Sequence, residues 1–187
     1  MKGYFKDKKV SASQLSTWIK SPKDYIEQYI NDKPFIGNKY TDFGSYIHKK
    51  IENDEPEMKH IPKLSNKEHY FEKEWDGIIL NGYIDSYDIG EIFDYKIAKV
   101  GRWSQQIVNK HNQLLFYGLW HKLEHNKLPR TSIIHIETNE QNGKLYLTGD
   151  YIQFKKQITK KDIEYIISKI KEFVQWCEEY KNEKRFN

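Results

Sequence analysis

Residues 78–98 read as two strands joined by a tight turn, and this pairing constrains the fold more than any other stretch of the chain. Gly82-Tyr83-Ile84-Asp85 leads through a turn at Ile89-Gly90 into Ile92-Phe93-Asp94-Tyr95-Lys96. Folded as a hairpin about that turn, the segment sets Asp85 opposite Asp94. Directly opposed residues in an antiparallel pair have Cβ atoms about 4.5–5.5 Å apart, and like charges there are destabilising. A divalent cation held between the two carboxylates removes that penalty. Lys96 follows Asp94 by two residues and so shares its strand face.

The flanking pattern predicts the rest of the architecture. Ser11-Ala12-Ser13-Gln14 opens a helix as a capping box, and Ser21-Pro22 opens the next. Thr41 caps a third helix carrying Phe43, Ile47 and Ile51 at four-residue spacing. Residues 53–67 lack periodicity and read as a mobile surface loop. Strands are expected at 68–76, 78–87 and 91–98, with one sheet face on a core and the other partly polar. One long helix is predicted over 104–125, with Ile107, Leu114, Leu115, Gly118, Leu119 and Leu123 on its buried side. A strand at 132–137 turns at Asn142-Gly143 into a partner running to Phe154, and Thr159 to Asp162 cap a last helix. The expected fold is therefore α/β or α+β: one domain over 1–187 with a central, mixed, five-stranded sheet flanked by helices.

Composition narrows the function. With 187 residues, a single core is the default. Fourteen tyrosines and five tryptophans argue against disorder. The net charge of +4 is compatible with a polyanion partner. Cys177 is the single cysteine, so a disulfide within the chain, a four-cysteine zinc site and an iron–sulfur cluster are all excluded. No apolar run approaches the roughly 18 residues of a membrane span. Met1-Lys2-Gly3-Tyr4-Phe5-Lys6 lacks a secretory apolar stretch, so a cytoplasmic location is expected.

The hard oxygen donors Asp85 and Asp94 suit Mg²⁺ or Mn²⁺. His48 could reach the same cation. Gly44, one turn before it, costs about 1 kcal/mol in a helix relative to alanine, which suggests that another element packs closely there. Gln113 and Tyr117 are one turn apart on a helix and could hold a nucleic-acid strand beside the metal. Lys155, Lys156, Lys160 and Lys161 could track a phosphate backbone, and Trp103 could stack on a base. A rival signal is His121-Lys122-Leu123-Glu124-His125, which matches the H-x-x-E-H pattern of inverted zinc proteases but lies at a helix end, without a third ligand in view.

Together, Gly44 to His48, Gly82 to Asp85, Asp94-Tyr95-Lys96 and Gln113 to Tyr117 resemble the PD-(D/E)xK nuclease superfamily. The likeness is to the branch of RecB-type nuclease domains, CRISPR adaptation nucleases and phage lambda-type exonucleases. Ser11 to Leu15 with Ser21-Pro22 resembles that branch's N-terminal helical motif, and the likeness spans roughly residues 10–120. The resemblance implies a restriction-endonuclease-like fold. It implies a cation held by His48, Asp85, Asp94 and the backbone carbonyl of Tyr95, with Lys96 assisting the attacking water. It further implies that Gln113 and Tyr117 support the site and contact DNA. The implied activity is Mg²⁺- or Mn²⁺-dependent hydrolysis of DNA at its ends, of the kind phages use in recombination or repair. A homo-oligomer or a recombination partner protein is compatible with it. The alternatives are a DNA endonuclease and a nuclease-fold module that binds DNA without cutting. Relatives with an iron–sulfur cluster differ from this chain, which lacks the cysteines.

Overall fold

In chain order the elements are α1 (Tyr4–Asp7), β1 (Lys9–Val10), α2 (Ala12–Lys20), α3 (Pro22–Tyr25) running into a π-helical turn at Ile26–Ile30, α4 (Lys39–Glu52), and a 3₁₀ turn at Pro56–Met58. They continue with β2 (Asn66–Trp75), β3 (Ile78–Asp88), β4 (Glu91–Lys99), α5 (Gln105–Asn109), α6 (Asn112–His125), β5 (Arg130–Gln141), β6 (Lys144–Gln157) and α7 (Lys160–Arg185). These come from a computed structural model that describes residues 2–185.

Capping residues start the helices as their chemistry dictates. The Ser11 hydroxyl accepts from the Gln14 N–H, and the Ser21 hydroxyl accepts from that of Asp24. The Thr159 hydroxyl accepts from the Asp162 N–H while the Asp162 carboxylate accepts from that of Thr159. Helix α4 starts earlier than Thr41 suggests. Asn38 is its cap, accepting from Tyr40 and Thr41, and Thr41 is the reciprocal partner that closes the box.

The expected mixed sheet is present, with six strands rather than five. The added strand is β1, only two residues long and paired in parallel with Ile79 and Leu80. The order is β1-β3-β4-β5-β6, with β2 on the other edge of β3. The pair β4 and β5 is parallel, and α5 and α6 form the crossover between them. The turn at Asn142-Gly143 has both residues at positive φ, the conformation that a two-residue hairpin favours.

The segment 104–125 is two helices, not one. His111 is extended and caps α6, and Ile107, expected inside, is 48% exposed. Val108 and Leu114 both pack with Ile133. On an unbroken helix their directions would diverge by about 120°, so the break lets both face one strand. Both faces of β4 carry apolar clusters, and the polar residues Asp94 and Lys96 lie among them. Ile92 joins the large core with Leu115, Leu119 and Phe173 from α6 and α7, while Phe93 and Tyr95 pack under Ile47 and Ile51 of α4. The segment 53–67 is tied down rather than loose. Met58 and Ile61 are buried in the α4 cluster, and Ser86 and Tyr95 hydrogen-bond its backbone at Leu64 and Pro62. Among the described residues no helix is long and apolar enough to cross a membrane.

Candidate metal centre

The site forms where the sheet forks. β3 pairs with β4 only at Ser86↔Phe93, Tyr87↔Ile92 and Asp88↔Glu91, the register expected from the turn. Its opposite end pairs with β1 at Ile79 and Leu80. The next rung from the turn would join Asp85 to Asp94, and there the ladder stops. Side chains take over the freed backbone groups. The Tyr95 N–H donates to Asp85 Oδ2 at 2.6 Å, and the Tyr117 hydroxyl donates to the Tyr83 carbonyl at 2.7 Å.

Asp94 lies at the base of the fork with 0% exposure, and its Oδ1 is buried without a partner. Lys96 Nζ sits 2.5 Å from Asp94 Oδ2 as an ion pair. The same ammonium donates to Gln113 Oε1 at 3.1 Å, and Gln113 Nε2 donates to the Tyr117 hydroxyl at 2.7 Å. Lys96, Gln113, Tyr117 and the Tyr83 carbonyl thus form one directional chain of hydrogen bonds. The orientation of the Gln113 amide follows from it, because its oxygen faces an ammonium that can only donate.

His48 comes from α4, with Nδ1 3.8 Å from Asp85 Oδ1. Burial and the nearby Lys96 lower its pKa, against the pull of Asp94 and a backbone hydrogen bond at Tyr95. A neutral imidazole keeps a lone pair for a metal. Asp85 is pushed up to about 8, first by burial and then by the charge of Asp94. Gln113 and Tyr117 stand beside Lys96 and the acids.

A further acid was not evident from the motif residues. Glu68 of β2 converges with His48 and Asp85, their ligand atoms all lying within 4.8 Å of one another. The β2–β3 register runs Lys67↔Ser86 and His69↔Ile84, which leaves Glu68 facing Asp85. Glu68 also holds φ at +47°, a left-handed conformation that L residues rarely adopt. Burial, then the charge of Glu52, raises its pKa. The signal was available: Asp76-Gly77, both at positive φ, is a hairpin turn, and counting back from it sets Glu68 across from Asp85. His111 was also missed. Its buried Nδ1 lacks a partner, and its pKa is lowered by burial and perturbed by both Asp94 and Lys96.

These residues fit a hard divalent cation. Asp85 feels the charges of both Asp94 and Glu68, and Lys96 is one cation against three carboxylates; burying such charge costs several kcal/mol unless a further cation or a proton compensates. Oxygen donors with one imidazole suit a hard divalent cation better than a thiophilic metal. An open cleft of about 420 Å³, lined by Tyr40, Ser45, His48 and Lys96 among others, leads to the site. Gly44 also lines it. A Cβ built on Gly44 would meet nothing within 4 Å, so no element packs closely there, contrary to expectation. Beside the acids it is Gly82 that admits a neighbour, since a Cβ there would lie 3.3 Å from the Phe71 ring.

Other candidates lie elsewhere. His121 Nδ1 faces the Lys127 carbonyl at 2.8 Å, Nε2 accepts from the Gly90 N–H at 2.9 Å, and His125 bonds the Tyr87 hydroxyl. With both of its ring nitrogens engaged, His121 is structural, which removes the protease reading. Lys156 is held by Asp162, while Lys155, Lys160 and Lys161 are exposed. Trp103 packs on His111 and the Val108 cluster rather than standing free.

No protein-family model and no curated protein sequence matches the chain. Solved structures do. A phage related exonuclease from Haemophilus somnus 129PT superposes with a TM-score of 0.58 and 17% identity, covering 92% of this chain and 96% of that one. A protein from Eubacterium rectale to which an exonuclease role is ascribed superposes with a TM-score of 0.52 and 14% identity, covering 86% and 76%. At such identities the likeness is one of fold: this chain shares the helix-flanked mixed sheet of those exonuclease structures.

Proposed function

We propose that the chain is a metal-dependent deoxyribonuclease of the PD-(D/E)xK type, in the RecB and phage-exonuclease branch, that hydrolyses phosphodiester bonds at DNA ends. The observation that carries this reading is the buried Asp94 carboxylate. It is paired with Lys96 through Oδ2 while Oδ1 is buried without a partner, and its charge bears on Asp85, which converges with His48 and Glu68. The shared fold with exonuclease structures supports it.

His48, Glu68, Asp85 and Asp94 would hold Mg²⁺ or Mn²⁺, with the Tyr95 carbonyl as a backbone ligand. When bound, such a cation lowers the pKa of a water and offsets phosphate charge. The chain's own groups do the rest. Asp94 and Gln113 fix the Lys96 ammonium from two sides, so it meets the attacking water and the scissile phosphate at a set position. The Tyr117 hydroxyl anchors Gln113 to β3, so the position of the lysine follows that of the strand bearing Asp85. A phage-type role in recombination or repair agrees with the Haemophilus somnus likeness.

The test is digestion of 5′- and 3′-labelled linear DNA and of closed circular single strands, with Mg²⁺ or Mn²⁺. Release of nucleotides from ends is expected, and it should be lost in Asp94→Ala and Lys96→Ala. Glu68→Gln should weaken cation affinity or activity by roughly 10–100-fold. Cutting of closed circles would replace the exonuclease reading with an endonuclease. Binding without hydrolysis in either metal would leave only a non-cutting module.

A further inference from the structure

Two tyrosines stand on the sheet beside the acids without a core to fill. Tyr70 and Tyr83 are directly opposed in the β2–β3 register, 45% and 59% exposed, with ring centroids 4.9 Å apart. Strand periodicity puts Tyr70 on the face of Glu68 and Tyr83 on the face of Asp85, two residues along in each case. The next rung beyond them, Phe71 and Gly82, points the other way and packs beneath the sheet with Tyr117. Two residues along a strand span about 6.7 Å, roughly the rise of two stacked nucleotides. The platform is also fixed in place. The Tyr83 carbonyl accepts from Tyr117, and the Tyr70 hydroxyl donates to Glu72.

Exposed aromatic rings cost free energy in water, and cross-strand pairing explains their mutual contact but not their open faces. We infer that the Tyr70–Tyr83 pair is a stacking platform for unpaired bases of the substrate, so that the site takes a single-stranded or frayed end rather than an intact duplex terminus. This rests on the nuclease reading of the acids and adds the form of DNA that reaches them. An intact duplex terminus offers only the outward face of its last pair, held in register with the partner strand, whereas each successive base of a single strand can turn a face to a ring. The platform is continuous with the acids, which favours the strand being cut over a separate partner as occupant.

The test uses a short oligonucleotide carrying 2-aminopurine near its end, single-stranded and as a blunt duplex. It is bound in Mg²⁺ on a Lys96→Ala background and read by fluorescence quenching and anisotropy. Tighter binding and stronger quenching are expected for the single strand. Tyr83→Ala and Tyr70→Ala should each lower single-strand affinity by roughly 5–150-fold. Tyr83→Phe should keep it, because the ring and not the hydroxyl stacks. Equal affinity for both DNA forms, unchanged affinity in the alanine variants, or a Tyr83→Phe loss as large as that of Tyr83→Ala would each overturn the inference. Cleavage is scored separately with Lys96 intact. Cleavage without stacking sinks only the platform, and stacking without cleavage sinks only the nuclease.

Discussion

At Asp85 a single carboxylate carries three demands: it is buried, it lies beside Asp94, and it accepts a backbone N–H from Tyr95. The first two win, and its folded pKa rises to about 8 from an ordinary value near 4. Between those values the folded chain holds a proton that the unfolded chain has released. Unfolding free energy should therefore fall as pH rises from about 4 to about 8 in metal-free protein. Denaturant titrations in EDTA across that range would show the fall, and Asp85→Asn should flatten it. If the wild type and the variant have parallel profiles, the site does not strain the apo fold. The positions of Asp85, Asp94 and Lys96 were legible because strand period and one turn decide them. Glu68 was less so. It needs a second turn, counted from Asp76-Gly77, and a left-handed backbone that no residue pattern announces.

Among the elements, helix caps were the most legible features, since Ser11, Ser21 and Thr159 act through contacts three residues away. The division between α5 and α6 was not. Asn109 to Gln113 interrupt the apolar pattern there without a Gly or Pro to mark a boundary, and only the packing of Val108 and Leu114 on the same Ile133 shows that the helix must break. Two helical glycines make opposite predictions. A Cβ on Gly118 would lie 3.0 Å from Ile158, so Gly118→Ala should cost about 1–3 kcal/mol by overpacking. Gly44 faces open space, so Gly44→Ala should stabilise α4 by up to about 1 kcal/mol while narrowing the cleft. Chemical denaturation of the two variants checks both signs. The reverse order would mean that the helices pack differently about the sheet.

The whole molecule is a sheet sandwiched between unequal halves. The larger core gathers α2, α6 and α7 over one face, with Phe173 fully buried against the rings of Tyr4, Trp18 and Tyr25. The smaller one lies under α4 and carries His48. Phe173→Ala should cost about 3–5 kcal/mol, a fall in Tm of roughly 6–20 °C. Because it lies in the other half, cation binding by the remaining folded protein should persist; calorimetry with Mn²⁺ would test that. The layered plan was legible from the alternation of strand and helix patterns. The sixth strand was not, since Lys9 and Val10 acquire strand character only by lying beside Ile79 and Leu80.

The fork between β3 and β4 has one more consequence. A rung of the ladder built from a side chain is a rung that solution chemistry can withdraw. The Tyr95 amide proton points at the Asp85 carboxylate where an ordinary strand would offer a peptide carbonyl. Its nuclear magnetic resonance should move whenever that carboxylate takes up a proton or turns to a cation. The molecule thus carries a spectroscopic gauge of its own site charge, in a backbone position that no mutation or label needs to disturb.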